Sequence, residues 1–336
     1  MVDLEVHMTP WERFEASAHL ETVDFVQSYL PLRGEDYRHR VKFNLIDRYP
    51  EAIHFIGAGR RPAPSLFGAE IDKRSRTAES DWWKPIIESE EDYDRLEYPD
   101  LRRKLLGRLE KDYISIRRRY GKEVLENYAA WTVSILGPLD FASELRRYDR
   151  LLADIYRCPS KVHRLFDLIT KVNIEWIDLC AEVLDRIRVL MLADHGLTFL
   201  SPRLVESFGL QYWRRELGAV PKETIRFYHN EGDVTHVLEA VPKMGTHVFH
   251  FGWVDAAEAK RRIGDSICLC GNLNTVELLR NGTVEEVTHA CKNLIRIAAP
   301  NGGFIISSGG GMAPRTPIKN VDAVYKTSMK YGRYPH

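Results

Sequence analysis

The stretch RVLMLADH, residues 188–195, is an apolar, β-branched run that ends in an acid and an imidazole. It reads as a strand, and helical patterns flank it on both sides. The same unit recurs outward. Upstream lies Trp131–Leu136, with helices from there to about Asp185 and a start signal at Pro159 and Ser160. Downstream come Thr224–Tyr228, Thr246–Phe251, Ile267–Cys270 and Gly303–Ser307, each followed by polar or glycine-rich residues and then a helix. Strand, loop, helix, strand is the signature of a parallel sheet. Six such strands, with room for two more upstream, favour a closed (β/α)8 TIM barrel over an open doubly wound sheet. The open sheet's phosphate fingerprint is missing, because Gly309, Gly310 and Gly311 follow Ser307 and Ser308 without GxGxxG spacing. The expectation is an α/β fold, one barrel domain over residues 1–336, with 1–65 as an N-terminal helical extension.

The extension opens on a capping box: Thr9, Pro10 at the first helical position, and Glu12 three residues after the cap. Residues 35 to 125 carry many charges and turn signals at Pro62 and Pro64, with a helix expected from about Tyr98 to Tyr120. Across the 336 residues, 48 basic side chains balance 48 acidic ones. A net charge of zero supplies no bulk attraction for nucleic acid or anionic lipid. The run Arg117, Arg118, Arg119 reads as the solvated face of a helix. No run of about 20 apolar residues offers a membrane span. The opening MVDLEVHMTPWERFEAS has acids where a signal peptide needs a basic flank, so a cytoplasmic chain is expected. Five cysteines without a CxxC pair exclude a disulfide framework or a zinc knuckle.

In such a barrel, chemistry sits at the C-terminal ends of the strands. His229-x-Glu231 followed by His250 is the sharpest constellation there. Two imidazoles and a carboxylate make a three-ligand set for catalytic zinc with a position left open, and Glu216 is a spare fourth ligand. The plainer reading of these histidines is structural hydrogen bonding. Asp194 is a general base or a substrate anchor, or else the cap of the helix beyond Ser201. Cys270 can add a thiolate or simply fill core. Gly271 and Asn272 look structural or substrate-orienting. The Ser307–Met312 loop either cradles an anion or lets another backbone approach. His247 reads as surface or packing, and Trp131, Trp213 and Trp253 read as core.

With those residues in view, the chain resembles the uroporphyrinogen decarboxylase superfamily. The matching segments are LADHGLTFLSP (192–202), FYHNEGD (227–233), WVDAAEAKRRIG (253–264), LCGNLN (269–274), SSGGGMAPRTPIKN (307–320) and, upstream, GPLDFASEL (137–145). The resemblance covers roughly residues 65–335 and implies a (β/α)8 barrel. The superfamily holds porphyrinogen decarboxylases and methyltransferases that serve corrinoid proteins. The decarboxylase signature PxWxMRQAGR is not reproduced by its nearest counterpart, IGAGRRPAP (56–64), although Arg60 and Arg61 can still meet carboxylates. The methyltransferase branch carries zinc on a His-x-Cys pair and a later cysteine. Here His229 matches the histidine, Glu231 stands for the first cysteine, and the later position falls in Gly309–Gly311.

The resemblance therefore implies a site rebuilt with harder ligands, Glu231 and His250, suited to an oxygen donor rather than a thiol. The expected activity is zinc-assisted transfer of a methyl group from a small O-methyl compound, an aromatic methyl ether, to cob(I)alamin. Asp194, His229 and Glu231 are the expected catalytic residues. His195, Asn272, Ser307 and Met312 are expected to contact substrate. No DxHxxG segment is present, so the cobalamin is expected on a separate corrinoid protein. A metal-free lyase using Asp194 or His229, and a non-catalytic ligand-binding barrel, are the alternatives. An isologous homodimer is the default assembly.

Overall fold

The computed structural model describes residues 7–32, 45–72 and 83–334, so the start of the chain, read for a leader, lies outside them. Eight strands form one sheet: β1 (Ser28–Tyr29), β2 (His54–Ile56), β3 (Ala129–Leu136), β4 (Val189–Ala193), β5 (Ile225–Asn230), β6 (Val248–Phe251), β7 (Cys268–Leu273) and β8 (Phe304–Ser308). Their order is β1-β8-β7-β6-β5-β4-β3-β2, and every pairing is parallel. A parallel bridge between Tyr29 and Ile53 joins the two ends of the sheet, where the Ile53 N–H donates to the Ser28 carbonyl at 3.1 Å. The result is a (β/α)8 barrel.

The six strands expected from Trp131 onward are β3 to β8. The two remaining places are filled from the segment expected to be a helical extension, which holds helix α1 (Pro10–Ala18) but also β1 and β2. At two and three residues, these strands are too short to show any hydrophobic period, and that is why the segment reads as purely helical. Helix α1 has the expected cap: Thr9 accepts the Glu12 N–H, and Glu12 returns to the Thr9 N–H at 2.8 Å. Its Trp11, Phe14 and Ala18 pack with Val189, Ile225, Val248 and Cys268 at the strand starts, closing the floor of the barrel. Helix α2 (Leu101–Asn127) runs past the expected end and breaks helical geometry at Gly121 (φ 71°).

Alternation along the strands separates two cores. Phe227, Val248, Cys268 and Ile305 point into the barrel, while Tyr228, Phe249, Leu269 and Phe304 face the surrounding helices. Burying each such large apolar side chain contributes ~1.5–3 kcal/mol. Helices α3 (Pro138–Arg146), α4 (Tyr148–Arg157), α5 (Pro159–Val183) and α6 (Gln211–Leu217) belong to the outer layer that supports the site. No helix among the described residues is long and apolar enough to cross a membrane.

Candidate active site

Ala193, His229, His250 and Cys270 are successive Cα partners across β4 to β7, so the strand register sets them on one rung near the barrel mouth. Here the two histidines meet. Nδ1 of His229 lies 2.9 Å from Nδ1 of His250, and Nε2 of His250 lies 2.8 Å from the Ser308 carbonyl oxygen. His250 is buried, and burial together with the neighbouring His229 holds its basicity down at about 3. Burial likewise lowers His229, despite the nearby carboxylate.

Two residues further along the chain, Glu231 places Oε1 3.4 Å from Nε2 of His229 and accepts the Gly311 N–H at 3.0 Å. Burial raises its pKa, but the neighbouring His229 and the Gly311 N–H outweigh that and hold it at about 2. It is therefore a carboxylate. The glycine loop after β8 wraps this group: a Cβ on Gly310 would sit 2.4 Å from the Glu231 carboxyl carbon. The loop thus cradles an anion supplied by the chain itself. Backbones also crowd here, since a Cβ on Gly252 would meet the Glu231 carbonyl oxygen at 2.4 Å.

His195 approaches from the loop after β4. Its ring is edge-on to His229 with centroids 5.3 Å apart, and it keeps 39% of its side chain exposed. Nδ1 lies 2.6 Å from Asp140 Oδ2. Asp140 stands in the first turn of α3, where its other oxygen accepts the Gly196 N–H at 3.0 Å and the Tyr148 hydroxyl. Burial lowers the His195 pKa, but the Asp140 hydrogen bond and charge win, so it ends raised; Asp140, against its own burial, is held low by His195. Asp140 was not singled out from the sequence. An acid in the first turn of a helix reads as dipole compensation, and only its packing against the β4 loop reveals the second role.

Asp194 does not face the mouth. It is fully buried and its carboxylate accepts four N–H groups: Trp213 Nε1 at 2.8 Å, and the backbones of Leu139, Asp140 and Gly196 at 3.2 Å each. It thereby ties β4 to the start of α3, rather than capping the helix beyond Ser201, whose cap is Ser201 itself. Burial and the neighbouring Asp140 raise its pKa. A Cβ on Gly137 would lie 2.3 Å from the Asp194 carboxylate, so the turn from β3 into α3 needs a glycine.

Among the described residues, the group of three or more His, Cys, Asp or Glu side chains whose donor atoms converge is His195, His229 and Glu231, within 4.8 Å of one another. This corrects the expected ligand set at three places. His250 spends both nitrogens on His229 and Ser308. Glu216, on α6, is fully buried and accepts from Asn173 of α5 at 2.7 Å, in the helix layer. His195, expected to touch substrate, is the third donor instead. Cys270 is fully buried with its thiol pushed up by burial, and all five cysteines are free.

The other expected contacts are largely structural. Asn272 donates to the carbonyls of Gly252 (3.1 Å) and Val254 (2.7 Å), Ser307 is buried 3.4 Å from His250, and Met312 is buried. His247 packs on Arg226 at 2.8 Å. Trp131 and Trp213 are core, whereas Trp253 is 72% exposed on the loop after β6.

Two imidazoles and one carboxylate, with His195 and Glu231 partly exposed, are the donor chemistry of a catalytic zinc site. With Nδ1 of His195 committed to Asp140, its Nε2 remains to donate.

A family model described as Uroporphyrinogen decarboxylase (URO-D) matches residues 61–331. Among curated proteins, uroporphyrinogen decarboxylase from Coxiella burnetii is 24% identical over 255 residues, covering 73% of this chain and 68% of that one. The Chlorobium phaeovibrioides uroporphyrinogen decarboxylase is 26% identical, covering 74% and 72%. Among solved structures, a methyltransferase from Methanosarcina mazei superimposes with a TM-score of 0.79 over 97% of this chain and 99% of that one, at 16% identity.

Proposed function

This chain belongs to the uroporphyrinogen decarboxylase family, and from that premise we propose that it is a corrinoid-dependent methyltransferase. In this reading it moves a methyl group from an O-methyl compound, an aromatic methyl ether, to the cob(I)alamin of a separate corrinoid protein. The observation that carries the reading is the convergence of His195, His229 and Glu231 within 4.8 Å, a nitrogen and oxygen donor set with no thiolate. These residues fit zinc, and they are the ones that would hold it. Zinc bound there supplies a Lewis acid for the oxygen from which the methyl group departs.

The chain's own groups do the rest. The Gly311 N–H keeps Glu231 in place and helps to keep it ionised against its burial. Tyr29, Phe55 and Phe227 form an aromatic cluster in the barrel core, with centroids 4.7 Å apart for Tyr29 and Phe55 and 5.2 Å for Phe55 and Phe227, and Tyr29 and Phe227 pack against His250. The cluster keeps water from the buried side of His250. Asp194 and Asp140 hold the loop after β4 and orient His195. They act through it rather than on substrate.

The test is to offer aryl methyl ethers and cob(I)alamin and to follow release of the phenol. Glu231→Gln is expected to slow transfer by ~100-fold or more, because several kcal/mol of charge stabilisation is at stake. Transfer persisting at the unmodified rate in that variant contradicts the proposal. The names of the curated relatives favour a second reading, a lyase acting on a carboxylated substrate. Release of carbon dioxide from uroporphyrinogen, with no transfer from any ether, would select it.

A further inference from the structure

We propose that His250 is a positioning residue that holds His229 in the one tautomer whose Nε2 lone pair faces the barrel mouth; this rests on the metal-site reading. The Ser308 carbonyl oxygen can only accept, so at 2.8 Å the proton between it and His250 sits on His250 Nε2. A neutral imidazole has one N–H, and Nδ1 of His250 is therefore bare. That bare nitrogen faces His229 Nδ1 at 2.9 Å, so His229 must donate from Nδ1. When His229 is neutral, its remaining nitrogen, Nε2, carries only a lone pair.

The position of that lone pair is informative. It lies 3.4 Å from Oε1 of Glu231, which is also an acceptor. Two acceptors held face to face, one of them charged, favour a cation between or beside them. The relay is well placed to be rigid. His250 is only 3% exposed, and its ring stands edge-on to Tyr29 at 5.5 Å and tilted against Phe227 at 5.7 Å. The Ser308 carbonyl that anchors it belongs to β8, on the far side of β7. A hydrogen-bonded partner behind a metal-binding imidazole fixes its ring and tautomer, and here that partner is another neutral imidazole.

Long-range 1H–15N spectra of the 15N-histidine-labelled protein, without zinc, read the tautomer of His229 directly. The unmodified protein is expected to show the proton on Nδ1. His250→Phe keeps the aromatic packing but removes the acceptor, whereas the side-chain oxygen of His250→Asn can take its place. The Phe variant should lose the Nδ1 tautomer and bind zinc ~10–100-fold more weakly, and the Asn variant should retain the tautomer with affinity within about threefold.

Finding His229 protonated on Nε2 in the unmodified protein overturns the proposal, as does unchanged tautomer and affinity in the Phe variant. If the tautomers behave as expected but the unmodified protein takes up no zinc, the positioning role stands and the metal-site reading fails. The two failures are thus distinguishable.

Discussion

The two imidazoles that reach the barrel mouth are backed in opposite ways. His195 leans on a carboxylate, Asp140, which is itself steadied by the Gly196 N–H and Tyr148, and its pKa rises. His229 leans on a neutral imidazole that ends at a carbonyl, and its pKa falls. Both arms present Nε2 to the same place. The comparison teaches that orientation and charge are separable tasks: one arm supplies both, and the other supplies orientation alone. Within the proposed zinc site, the His195 arm brings electron density while the His229 arm keeps the total charge down.

Asp140→Asn attacks the charged arm, and its effect should be the largest. Zinc affinity is expected to fall ~10–100-fold, the usual cost of losing a carboxylate behind a ligating histidine. Tyr148→Phe, which leaves the Asp140 charge in place, should cost much less when measured by the same titration. Equal losses in both variants would mean that packing, not charge, supports His195.

Glu231 is shared by both arms, and the glycine that lets it settle offers a finer probe. Gly310→Ala places a Cβ 2.4 Å from the Glu231 carboxyl carbon, at a side chain that is 44% exposed and can swing away. Zinc affinity should drop ~10-fold while chemical denaturation shows a stability loss of no more than ~1 kcal/mol, the low end for overpacking. Gly137→Ala should do the reverse. It drives a Cβ into the fully buried Asp194, so stability falls by ~1–3 kcal/mol.

A pH-dependent effect lies at the edge of the charged arm. Glu144 stands one turn after Asp140 on α3. Burial lifts its pKa to about 7, Arg61 at 4.0 Å opposes that, and Asp140 adds to it. Its Oε2 is buried without a hydrogen-bond partner among the described residues. Folding therefore retains a proton that the unfolded chain loses near 4.5, and the resulting penalty is absent at low pH, grows across the window to about 7, and is constant above it. Glu144→Gln should match the parent protein in urea unfolding at pH 4 and exceed it at pH 8. An identical difference at both pH values would contradict the assignment.

Much of this architecture is legible in the sequence, for a physical reason. Strands β3 to β8 are four to eight residues long and bounded by glycines and polar residues, so their apolar runs stand out. Strands β1 and β2 leave no pattern because two or three residues cannot show a period. At the site, His229 and Glu231 are legible because positions i and i+2 of an extended chain leaving a strand share a face. The third donor is not. His195 and His250 both sit at strand ends, and only the carbonyl of Ser308 and the carboxylate of Asp140 decide which of them is free to donate. Those partners lie 58 and 55 residues away along the chain. Asp194 misled for a related reason: at the end of its strand it reads as mouth-facing, yet the Trp213 N–H and the first N–H groups of α3 turn it into the wall.

The central claim is that His195, His229 and Glu231 together hold one zinc ion. Metal content by mass spectrometry, after folding with zinc supplied, tests it directly in the unmodified protein and in His195→Ala, His229→Ala and Glu231→Ala. The account predicts about one zinc per chain, lost in each variant. No zinc in the unmodified protein, or full retention after removal of His195 or Glu231, would contradict it.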